Sequence, residues 1–133
     1  MKSWRGWRVI LAICYTLIVV YFSLIDLKPL ETNPLGEYFI EIHIVGEGFI
    51  IHLIAYFFMG YLWRSSGLSF VRSFLTCFLT GFMIELAQSF TSTRIFSLFD
   101  NLANGLGSLL GIILHLYINY YRTGFGKIRR LII

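Results

Sequence analysis

Four stretches of the chain stay apolar for about the length a bilayer demands, and the pieces between them are charged, glycine-containing or proline-containing. A transmembrane helix needs about 20 mostly apolar residues, and Val9–Ile25, Gly48–Trp63, Ser69–Gln88 and Asn101–Tyr121 approach or reach it. The second and third are joined by RSSGLS, short enough to make them antiparallel neighbours. The first connection carries Pro29 and Pro34 and then alternates at Ile40, Ile42 and Ile44. That period of two predicts a short extended piece, with a helical turn from Glu37 as the alternative. The third connection, SFTSTRIFSLF, holds Phe90, Ile95, Phe96, Leu98 and Phe99, too apolar for a freely solvated loop. It is expected to lie in the interface or to re-enter before the fourth helix, where protein covers its backbone. The pattern predicts an all-α membrane protein with four transmembrane helices, a single domain over residues 1–133.

Composition supports this. The chain is 57% hydrophobic and only 14% charged, where an ordinary soluble domain carries about a quarter charged residues. Net charge is +4, but the basic residues sit in short clusters beside the apolar runs, as membrane-flanking charges do, so nucleic acid is not an expected partner. All lysines and arginines except Lys28 and Arg94 fall in the N-terminal segment, the second connection or the C-terminal tail. The positive-inside rule then places both termini in the cytoplasm of a multi-pass plasma-membrane protein, with the first and third connections external. The opening MKSWRGWR and the run after it resemble a secretory signal, but no small-x-small cleavage site follows, and the run is read as a retained span. Cys14 and Cys77 lie in separate apolar runs without metal spacing and are expected to be small buried apolar residues.

The segment IELAQSFTSTRIFSLFDNLANGLG departs from the rest by concentrating polar groups. Glu85 and Gln88, three apart at the outer end of the third span, share a helix face, and so do Asp100 and Asn104, four apart at the outer start of the fourth. His52 and Tyr56, also four apart, sit in the outer half of the second span. Polar groups at membrane depth point into a bundle, pair with each other or line a wet cavity, so one outward-opening pocket accommodates all of them. Structural readings stand beside the functional one. Asp100 suits the positive end of the fourth helix's dipole, Gln88 and Asn104 serve as interhelical glue, and His52 with Tyr56 as a self-satisfied pair. Arg94 bridging Glu85 and Asp100 would give a purely structural ion network. Gly107 and Gly111 form a small-xxx-small pair expected in helix packing. A metal held by His52, Glu85 and Asp100 has no spacing signature, and neither a metal nor another cofactor is expected.

The order Glu85, Gln88, Arg94, Asp100, Asn104, Gly107, Gly111, preceded by His52-x-x-x-Tyr56, resembles the signature of VanZ-like membrane proteins over about residues 47 to 115, with Ser23 a weaker match. One departure concerns the Asp-Lys that the family often shows before the histidine: Gly48 and Phe49 stand there, with Glu47 one position early and no lysine. The resemblance implies an integral membrane protein of the cell envelope, associated in its namesake with resistance to the glycopeptide antibiotic teicoplanin. Two functions are weighed on the residues. The first is a non-catalytic binder of a lipid-linked cell-wall precursor or a lipoglycopeptide, with Arg94 contacting phosphate or carboxylate and Glu85, Gln88, Asp100 and Asn104 orienting it. The second is an intramembrane enzyme with Glu85 as base, His52 as acid and Arg94 stabilising charge, although no nucleophile or metalloprotease motif is present. A small transporter is a third.

Overall fold

The computed structural model describes residues 3–25, 47–89 and 98–132. They form four α-helices: α1, Ser3–Leu24; α2, Glu47–Ser65; α3, Phe70–Ser89; and α4, Leu98–Ile132. The first connection with its proposed extended piece, the interfacial segment before α4 and Arg94 all lie outside the described residues. Helix ends run past the apolar stretches that predict them. Apolarity decides which part of a helix can face lipid, whereas backbone hydrogen bonding decides where the helix stops.

Three of the four are long and apolar enough to cross a membrane, over Gly6–Leu24, Phe70–Gln88 and Leu98–Thr123. α2 does not reach that standard, because His52, Tyr56, Tyr61, Trp63 and Arg64 dilute its apolar run. The physical reason is its position. α2 touches all three other helices, so less of its surface must suit lipid, and α1 and α4 pack on it without touching each other among the described residues.

The α2–α3 connection is fixed locally. Gly67 takes φ 98°, a left-handed conformation that favours glycine, and its N–H bonds the Arg64 carbonyl at 3.2 Å. Arg64 Nη1 donates to the Leu68 carbonyl at 2.7 Å. Ser69 then caps α3, its hydroxyl accepting from the Arg72 N–H at 3.3 Å. The tight turn makes α2 and α3 antiparallel.

The closest approach is between α2 and α4, which run parallel. A Cβ at Gly107 would overlap the Leu53 carbonyl, one at Gly111 the Phe57 carbonyl, and one at Gly60 the Ser108 carbonyl. Three glycines therefore let two backbones meet directly, as small residues do where lipid offers no hydrophobic drive for helices to associate. α1 is tied on by Tyr15, whose hydroxyl donates to the Ala55 carbonyl at 3.1 Å, and by Trp63 Nε1 donating to Thr16 Oγ1 at 3.0 Å. Tyr56, Met59 and Cys77 form a small buried cluster covered by Tyr15, Val19, Ala55 and Trp63. Cys14, expected to be buried, is exposed on the outward face of α1. It joins an outside made of Leu17, Phe22, Leu79, Met83, Leu110 and Ile113, while Ser73, Glu85, Gln88, Asn104 and Ser108 are buried. Such an arrangement suits a hydrocarbon solvent, not water.

The backbone contact predicts an asymmetry among glycines. Gly107→Val and Gly111→Val are expected to destabilise the protein by about 1–3 kcal/mol or more, the usual cost of overpacking. Gly6→Ala, with nothing within 4 Å of the added carbon, should be neutral or slightly stabilising. Thermal unfolding in detergent measures all three.

Candidate functional site

One end of the bundle collects the polar side chains because of the up-down topology. The C-terminal ends of α1 and α3 meet the N-terminal ends of α2 and α4 there, which brings Ser23, Glu85 and Gln88 to the same level as His52, Asp100 and Asn104. Arg8, Arg64, Arg72 and Arg122 belong to the opposite helix ends. Arg8 Nη1 donates there to the Ser65 carbonyl at 3.4 Å.

His52 and Asn104 form the central contact. Nδ1 of the imidazole lies 2.9 Å from Oδ1 of the amide. An amide oxygen only accepts, so Nδ1 carries the hydrogen of this bond, and in a neutral imidazole the lone pair is then on Nε2. Asn104 is itself held by burial, being 1% exposed, and its backbone carbonyl accepts from the Ser108 hydroxyl at 2.7 Å. One turn before Glu85 on α3, Gly81 leaves room for this amide: a Cβ there would stand 2.6 Å from Asn104 Nδ2 and 3.1 Å from the Tyr56 hydroxyl. The rings of His52 and Tyr56 lie nearly parallel at 6.5 Å, so one face of α2 presents both.

The carboxylates come to the same place. One ligand atom from each of His52, Glu85 and Asp100 lies within 4.8 Å of the other two. Glu85 is buried, while His52 and Asp100 are half-buried, so the group is reachable from its Asp100 side. Asp100 occupies the first turn of α4, where an acid meets the positive end of the helix dipole. Gln88 is buried and donates through Nε2 to the Ser23 carbonyl at 2.6 Å, binding the end of α3 to the end of α1.

The structure thus gathers His52, Tyr56, Glu85, Asp100 and Asn104, sets Gln88 one turn away against α1, and describes Gly107 and Gly111 beneath the group at the α2–α4 contact. Several buried polar atoms have no hydrogen-bond partner among the described residues: the Tyr56 hydroxyl, Asn104 Nδ2, and both amide atoms of Asn101. Buried polar groups are normally satisfied. Arg64 Nε, Ser73 Oγ and His115 Nδ1 are also without a partner among the described residues, away from this end of the bundle, so the Tyr56, Asn101 and Asn104 atoms are set apart by their position beside His52, Glu85 and Asp100. Asn101, Ser108 and Gly81 are absent from the sequence-based candidates. Their spacing offered a clue, since Asn101, Asn104 and Ser108 recur at three and four and Gly81 stands four before Glu85, but nothing in spacing says which face is inside.

No curated protein and no solved structure matches the chain. The family model of VanZ/LLP1 matches residues 8–119, which takes in most of α1, all of α2 and α3, and most of the membrane-length part of α4. The chain belongs to the VanZ/LLP1 family.

Proposed function

We propose that this VanZ/LLP1-family membrane protein binds the polar head of a lipid-linked envelope component or a lipoglycopeptide in a pocket at the outer face of the plasma membrane. In this reading α2 also crosses the bilayer, both termini are cytoplasmic, and the polar end of the bundle faces outward. The concentration of arginines at the opposite helix ends supports the orientation. The observation that carries the binding reading is the set of orphaned donors: the Tyr56 hydroxyl, Asn104 Nδ2 and the Asn101 amide are buried with no hydrogen-bond partner among the described residues. Two of them converge on Gly81 beside the His52 and Glu85 group. A bound headgroup supplies acceptor oxygens to such donors. Arg94, between α3 and α4 in the sequence, would offer its planar fork to a phosphate or carboxylate. Modulation of teicoplanin susceptibility is the physiological effect this binding would have.

A second reading, an intramembrane enzyme acting on the same class of molecule, is favoured by one observation: His52 and Glu85 stand close enough to divide acid and base roles. Incubation of the purified protein with labelled polyprenyl phosphate separates the two. A binder retains the lipid unchanged, whereas an enzyme releases a product.

Tyr56→Phe tests the pocket most directly, because it removes one oxygen and leaves the ring. Loss of a hydroxyl that has no described partner is expected to change thermal stability by less than about 0.5 kcal/mol. Retention of the labelled lipid is expected to weaken by roughly 10- to 100-fold, which corresponds to about 1–3 kcal/mol for an unmade hydrogen bond. Unchanged retention, or a loss that only follows stability, rejects the pocket.

Orientation is tested separately by single cysteines in a background lacking Cys14 and Cys77. Thr32→Cys is expected to react with an impermeant thiol reagent on intact cells, and Ser66→Cys and Thr123→Cys to be protected. The reverse pattern places the polar end in the cytoplasm.

A further inference from the structure

We propose that His52, Glu85 and Asp100 form a three-ligand site for a divalent transition-metal ion of the zinc or manganese type. This inference rests on reading the polar end of the bundle as a ligand pocket, and it names the ion through which a phosphate-bearing head would be held.

Geometry supplies the first argument. Imidazole nitrogen and carboxylate oxygen bind such ions at about 2.0–2.2 Å, so the ligands of one tetrahedral ion stand roughly 3.3–3.6 Å apart. The three ligand atoms here lie within 4.8 Å of one another, so side-chain movements on the order of an ångström close them on an ion. Three protein ligands with open positions left for water or substrate is the pattern of reactive rather than purely structural metal sites. One nitrogen and two carboxylates suit zinc and manganese better than calcium or magnesium, which take all-oxygen shells. Two carboxylates this close also favour any cation placed between them.

The second argument is independent of the three ligands. A metal-bound histidine typically donates its other ring N–H to a fixed acceptor, which sets the tautomer and aims the lone pair. His52 has that partner: Nδ1 meets Asn104 Oδ1 at 2.9 Å, leaving Nε2 for the ion. Asn104 is 1% exposed, so its surroundings hold the amide in place.

Thirdly, the same amide turns Nδ2 to the side where the Tyr56 hydroxyl lies, both against Gly81 and both without a partner among the described residues. Asn104 and Tyr56 are each 1% exposed. These are donors, and a metal ion does not accept hydrogen bonds. An oxygen carried by the ion does, whether of hydroxide or of a phosphate headgroup. The three ligands thus account for a cation, and the two donors for the anion it brings. No sequence motif announces the site because its ligands come from three helices.

The test uses tag-free, full-length protein in detergent, stripped with chelator and titrated with Co²⁺ without added lipid. One equivalent is expected to bind, with the visible absorption of nitrogen- and oxygen-ligated cobalt, and Zn²⁺ to displace it. His52→Ala, Glu85→Gln and Asp100→Asn should each weaken binding by at least about tenfold, and His115→Ala should leave it unchanged. Asn104→Ala keeps every ligand and should weaken binding by about 10- to 100-fold, as loss of a supporting partner does. Absence of stoichiometric cobalt in the parent protein, or equal binding in His52→Ala, overturns the site. Polyprenyl phosphate retention is measured on the stripped and loaded protein in parallel. Lipid retained without any cobalt binding overturns the metal site alone. Cobalt bound with no lipid retained upholds it and overturns the headgroup reading.

Discussion

The direct backbone contact between α2 and α4 sets the geometry of everything else. Gly107 against the Leu53 carbonyl and Gly111 against the Phe57 carbonyl bring two parallel helices closer than any side chain would permit. That distance is what allows a histidine on one to reach an asparagine on the other at 2.9 Å with both side chains short and held. In a bilayer the helices gain nothing by hiding apolar surface from one another, so close backbone packing and interhelical hydrogen bonds carry the association. A functional group built on two such helices inherits their rigidity, whereas one built on a loop must acquire it separately.

The polar residues inside the bundle differ in how their side chains are satisfied. Thr16, Thr80 and Ser108 return their hydroxyls to carbonyls one turn back on their own helices, at 2.7–2.8 Å. Such hydroxyls are satisfied wherever the helix goes and demand nothing of a neighbour. An amide or a phenol has no comparable way back to its own backbone. Gln88 solves this by donating to the Ser23 carbonyl on α1. Asn104 uses one end on His52 and leaves the other, and Tyr56 and Asn101 leave theirs. An unmade hydrogen bond is costly at low dielectric; Ser73 and His115 carry one away from the polar end, so it is the position of Tyr56 and Asn104 beside His52 and Glu85 that supports the proposed pocket.

The number of helices was legible because an apolar run of bilayer length rarely folds as anything but a helix in a membrane. The meeting of His52, Glu85, Asp100 and Asn104 was legible because topology alone puts the end of α3 beside the starts of α2 and α4. Other features were not. α1 begins at Ser3 and α4 continues beyond Thr123, since a helix does not end where its apolarity ends. The burial of Cys77 and the exposure of Cys14 depend on helix rotation, about which a run that is apolar on all sides says nothing. Gly60 and Gly81 show the same limit, because each matters only through the surface that faces it, the Ser108 backbone in one case and the Asn104 and Tyr56 side chains in the other. The pairing of His52 with Asn104 needs the relative rotation and height of two helices at once, and spacing within either helix contains neither.

The polar end also mixes signs, and this bears on what it can hold. α2 and α4 bring their N-termini to it, each with the positive end of its dipole, and α1 and α3 bring the negative ends of theirs. Glu85 stands near the C-terminal end of α3, where an acid is electrostatically least at home, while Asp100 stands in the first turn of α4, where it is most at home. A free anion entering such a pocket would meet two carboxylates, and a free cation would meet two helix N-termini and the N–H groups of Asn104. A neutral pair made of both meets each with its complement: the cation beside Glu85 and Asp100, the anion beside the helix starts and the donors of Asn104 and Tyr56. On the proposed reading of this end, such mixed electrostatics favour a metal-bridged headgroup over either ion by itself.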